Sequence, residues 1–108
     1  MPSYTLVVLT NALPGRDQEF NDWYDNRHLG EVLQIPGFIS ARRFKLTKQQ
    51  RRRTPSPYEY LALYEIETDD LEKVMDELRS RSGSAIMPIT DAMAEERFNY
   101  VFEPLPAK

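Results

Sequence analysis

Tyr4-Thr5-Leu6-Val7-Val8-Leu9-Thr10 reads as a β-strand, because a short run of β-branched and apolar residues suits an extended, pleated chain. Alternation sends Leu6 and Val8 to one face and Val7 and Leu9 to the other. Both faces are apolar, whereas a strand with one face in water should alternate apolar with polar residues. The stretch from Tyr58 to Ile66 repeats the pattern, with Tyr60, Ala62 and Tyr64 opposing Leu61 and Leu63. A sheet built from these strands needs cover on both sides.

The neighbouring segments supply cover for one side. Pro14-Gly15 marks a turn after the first strand. Asp17 and Glu19 then suit the positive end of a helix predicted to run to about His28, with Gly30 as its stop and Pro36-Gly37 closing the connection. Phe38 to Leu46 is the second strand, anchored by Ile39 and Phe44. Residues 48–57 contain Arg51-Arg52-Arg53, Pro55 and Pro57, and read as a long, flexible loop. After the third strand, Thr68-Asp69-Asp70 caps a helix whose Leu71, Val74, Met75 and Leu78 form an apolar stripe. Ser82-Gly83-Ser84 ends it. Pro88 argues for a turn within 86–96, while Thr90 to Glu96 also suits a short helix. Arg97 to Glu103 is a last strand, with Phe98, Tyr100 and Phe102 opposing Asn99, Val101 and Glu103.

The order β-α-β-β-α-β is the ferredoxin-like α+β arrangement, with a four-stranded antiparallel sheet and both helices on one face. A second copy of the sheet is the simplest cover for the other face. Two such sheets make a dimeric α+β barrel, with an interface on the order of 2,000 Å² or more. The competing reading is a monomer whose aromatic sheet face stacks on bases. The net charge of −3 argues against it and against nucleic acid as a partner.

The 108 residues suit a single domain, 1–108. Absence of cysteine removes disulfides, thiolate metal sites and cysteine nucleophiles. Met1 to Leu6 has no basic region before an apolar core, so neither a signal peptide nor a membrane partner is expected, and a cytoplasmic location fits.

The unusual chemistry lies in Phe20-Asn21-Asp22-Trp23-Tyr24-Asp25-Asn26-Arg27-His28, which holds the only Trp and the only His. Helical spacing gathers Phe20, Trp23, Tyr24, Arg27 and His28 on one side. His28 exchanges a proton near neutral pH, and Tyr24 lies one turn earlier. The two are candidate catalytic residues; the alternative is that His28 caps the helix C-terminus. Trp23 is a candidate pocket wall, as is Tyr60. Arg42 and Arg43 point to opposite faces of a strand, so one of them faces the helix layer or the barrel interior and needs a carboxylate or an anionic ligand there, unless its stem packs while its head reaches water. Arg43 is the candidate for binding, with Asp91 as a possible carboxylate. Asn11 is a candidate for orienting a carbonyl oxygen, or a turn residue. One His and scattered carboxylates give no metal-ligand pair.

Leu13-Pro14-Gly15-Arg16-Asp17-Gln18-Glu19-Phe20-Asn21-Asp22-Trp23-Tyr24-Asp25-Asn26-Arg27-His28, followed by Pro36-Gly37-Phe38 and Ala41-Arg42-Arg43-Phe44, resembles the EthD-like branch of the dimeric α+β barrel superfamily. Tyr60-Leu61-Ala62-Leu63-Tyr64-Glu65 extends the likeness to the third strand. The resemblance implies a homodimer with a cavity between sheet and helices in each subunit. Members of this superfamily include cofactor-free monooxygenases, muconolactone-type isomerases and polyketide cyclases. Those that bind haem use a His later in the chain, a place His28 does not occupy, so no cofactor is expected. In the cyclase and isomerase branches a His and a Tyr share acid/base work, a role the resemblance carries to His28 and Tyr24.

Three functions compete. The first is a small cofactor-independent enzyme acting on a small hydrophobic or aromatic carbonyl compound, of monooxygenase, isomerase or cyclase type. The second is a non-catalytic binding or accessory protein of a degradative pathway with the same pocket. The third is a structural dimer.

Overall fold

The computed structural model describes residues 1–107. Strands β1 (Ser3–Thr10), β2 (Phe38–Lys45), β3 (Tyr60–Glu67) and β4 (Phe98–Phe102) form one sheet in the order β2-β3-β1-β4. Every pairing is antiparallel. Helix α1 (Asp17–Trp23), a π-helical turn (Tyr24–His28) and α2 (Leu29–Leu33) follow one another without a break, and α3 (Leu71–Arg81) follows β3. This is the ferredoxin-like α+β order expected. Asp70 caps α3, its side chain accepting a hydrogen bond from the Lys73 N–H.

Two local expectations fail. The first helical rod runs through Gly30 to Leu33, because Gly30 keeps helical backbone and the chain stops only at the Pro36-Gly37 turn. Phe38, not Ile39, anchors β2: the pairing slips between Phe38 and Ser40, and this bulge leaves Ile39 55% exposed. Of the two readings open for 86–96, the turn holds: the stretch forms turns, with a bridge from Met93 to Ala12, and no helix. Residues 48–57 carry neither helix nor strand and are exposed.

The core lies between the helices and one sheet face. Leu6, Val8, Ala62, Tyr64 and Ile66 face Phe20, Tyr24, Val32 and Val74 there. The other face carries Val7, Leu9, Leu61, Leu63 and Phe44, together with Phe98, Tyr100 and Phe102. Nothing among the described residues covers it. Tyr100 is 62% and Phe102 51% exposed. The molecule is a slab about 20 Å thick, room for one sheet and one helix layer. Among the described residues no helix is long and apolar enough to cross a membrane.

Gly37 holds the rod against α3. Its φ of +106° disfavours any side chain, and a Cβ would lie 2.9 Å from Val74 Cγ2. Gly37→Ala is therefore expected to destabilise the fold by about 2 kcal/mol in urea unfolding. An unchanged midpoint would mean that the turn is not constraining.

Candidate functional site

The π turn is the local origin of the site. The Leu29 N–H reaches back five residues to the Tyr24 carbonyl. In a regular α-helix, residues five apart diverge by about 140° around the axis. Here the looser turn brings Trp23 and His28 face to face, with ring centres 4.4 Å apart and planes 20° from parallel. Tyr24 meets His28 edge-on at 5.0 Å. His28 thus sits inside the rod and not at its C-terminus, which removes the capping role. Arg27 turns outward and pairs with Glu31 at 2.8 Å.

These rings form one wall of a cavity of about 610 Å³ between helices and sheet, well within the range of small-molecule sites. Leu6, Val8 and Tyr64 form its floor. Met75 and Leu78 of α3 close a second side, and Ile89 and Met93 a third. Arg79, Ser82, Arg97 and Asn99 add polar groups. The Trp23 indole N–H donates to the Pro88 carbonyl at 3.1 Å, tying the 86–96 segment to the rod.

His28 has its pKa lowered from 6.5 to about 4. Burial is the main cause. The positive charges of Arg43 and Arg97 push the same way, and the Glu31 carboxylate opposes them. The imidazole is therefore neutral at pH 7. Its Nδ1 is enclosed and has no hydrogen-bond partner among the described residues. Tyr24 and Tyr64 share a hydrogen bond between their hydroxyls at 3.1 Å. Burial raises both pKa values above the ordinary 10, so both remain hydroxyls. One shared bond leaves the pair one hydroxyl proton for an acceptor in the cavity.

The structure brings His28, Tyr24 and Trp23 together on the cavity wall and leaves four other candidates elsewhere. Arg43 does face the helix layer, but behind the rings. Its guanidinium lies 4.3 Å from the Tyr24 ring centre, and also contacts Phe20 and Tyr60. It bonds Asp25 and Asn21, each at 2.8 Å. Asp91 instead pairs with Arg16 at 2.7 Å. The Tyr60 hydroxyl donates to Asp17 at 2.7 Å. Asn11 clips the loop, donating to the Pro57 carbonyl and accepting from the Glu59 N–H. Tyr64 and Arg97 are cavity residues that sequence reasoning passed over. The alternation Tyr60, Ala62, Tyr64 could have marked Tyr64, since a buried Tyr needs a partner for its hydroxyl. Among the described residues no three His, Asp or Glu side chains gather as a metal site.

No protein-family model and no curated protein matches the chain. Solved structures do. A candidate monooxygenase from Shewanella loihica PV-4 superposes with a TM-score of 0.65 at 10% identity, covering 98% of this chain and 97% of that one. An EthD family protein from Bacillus halodurans C-125 superposes with a TM-score of 0.52 at 13% identity, covering 97% of this chain and 100% of that one. At these identities the likeness establishes a shared fold.

The depressed His28 pKa has a stability consequence. Above pH 6.5 the imidazole is neutral in both folded and unfolded chains, and nothing is lost. Below 6.5 the unfolded chain takes up a proton that the folded chain refuses until about pH 4. Folding stability is expected to be about 2 kcal/mol lower at pH 5 than at pH 7 through this group alone. Urea titrations of wild type and His28→Gln measure it. A variant with the same pH 5 to 7 difference as wild type would remove His28 as the cause.

Proposed function

We propose that this chain is a small cofactor-independent enzyme that moves a proton next to a carbonyl group of a small hydrophobic or aromatic compound. The observation carrying this reading is a neutral His28 on a cavity wall, beside a tyrosine pair that has a hydroxyl proton to give. In the proposed step a C–H next to a carbonyl gives its proton to the imidazole. The electron pair moves onto the carbonyl oxygen, which accepts a hydrogen bond from Tyr24, whose own hydroxyl accepts from Tyr64. A base with a pKa near 4 favours carbon acids already activated by an aromatic ring or a second carbonyl. Isomerases, cyclases and cofactor-free monooxygenases share this step, and the likeness to a candidate monooxygenase accords with it.

Hydrogen–deuterium exchange at the activated carbon of 2-tetralone, followed by NMR, tests the reading. Wild type should accelerate exchange, and His28→Ala should lose about 10²-fold or more of the acceleration while still binding the ketone. Binding without exchange in wild type would leave only the ligand-binding reading.

The same proposal includes a homodimer, supported by the uncovered apolar sheet face. Sedimentation should give twice the chain's mass, and Leu63→Glu, at the centre of that face, should give the monomer. A monomeric wild type at micromolar concentration would rule out the barrel.

A further inference from the structure

The cavity is cationic in a protein whose net charge is −3. Its wall contains Arg79 and Arg97, and neither Asp nor Glu. The two arginines differ. Arg79 is paired with Asp76, one turn earlier on α3. Arg97 has no carboxylate within ion-pair distance among the described residues, although Glu95 and Glu96 precede it in the chain. Its Nε donates to the Ala94 carbonyl at 3.3 Å, which leaves both Nη groups uncommitted. It lines the cavity while remaining exposed, so it stands at the mouth. Its charge is close enough to act on both His28 and Tyr24. Behind it the wall is apolar and adaptable, with Trp23, Met75 and Met93 suited to a flat ring system.

The geometry points to an apolar organic monoanion as the ligand, its rings against Trp23 and the methionines and its anionic group held by Arg97. This rests on the reading of the cavity as a ligand site and adds its charge selectivity. A planar guanidinium with its Nη1/Nη2 edge free donates to a carboxylate, or to an enolate oxygen, in a charge-assisted pair. Such a group at the mouth also fixes which end of the ligand enters toward His28.

Calorimetric titration with 2-naphthoate and its neutral analogue 2-naphthamide tests this. Wild type should bind the carboxylate about tenfold more tightly or better, and that preference should shrink as salt is raised. In Arg97→Gln the two should bind alike, and Arg97→Lys should recover part of the preference. Equal binding by wild type, or a preference that survives in Arg97→Gln, would overturn the assignment of Arg97 and leave the cavity's role standing. Failure of wild type to bind either compound would overturn both.

Discussion

A single guanidinium organises the packing of the helical rod on the sheet. Arg43 projects from β2 into the layer beneath the rod, where its side chain is only 12% exposed. A charge so placed needs both a counter-ion and hydrogen bonds. Asp25 and Asn21 supply them from the rod, on successive turns. The faces of Tyr24, Phe20 and Tyr60 supply the rest of its surroundings. The polar bonds set where the rod lies along β2, and the ring contacts set how far it stands above the sheet. Tyr24 then reaches Tyr64, and the next turn carries His28 over the cavity.

That arrangement gives the site its electrostatic character. Two arginines, one behind the rings and one at the mouth, press on an imidazole that burial already holds neutral. The tyrosines beside it are held as hydroxyls by the same burial. A neutral base and neutral acids therefore face each other across a mostly apolar space, with positive charge at the opening. The π turn is integral to this. It places His28 on the face of Trp23, five residues before it, which a regular helix would turn away. Such turns recur at functional sites because they re-aim side chains without ending the helix.

Much of the fold was legible because strands advertise both their faces. Leu6 and Val8 against Val7 and Leu9 required two layers of cover, and the helices supply one. The chemistry of Phe20 to His28 was legible as composition, and His28, Tyr24 and Trp23 do line one cavity. The π turn was not legible, because it differs from an α-helix by one residue of register and no Gly or Pro marks it. Gly30 misled for the same reason: a glycine permits a helix stop without requiring one. Partner choice was equally hidden. Asp91 and Asp25 were both available to Arg43 by composition, and only the packing of the rod selects Asp25. Arg97 escaped notice because a charged residue beginning an edge strand reads as solvated until the cavity beside it is seen.

The fold holds its one histidine neutral beside a cavity between helices and sheet. Because the chain has a single His, its ring signals in a pH-dependent NMR titration need no assignment. They should stay at neutral-imidazole positions from pH 8 down to pH 5 and move only as pH approaches about 4. A titration centred near 6.5 would show an exposed, ordinary imidazole and contradict the site built around it.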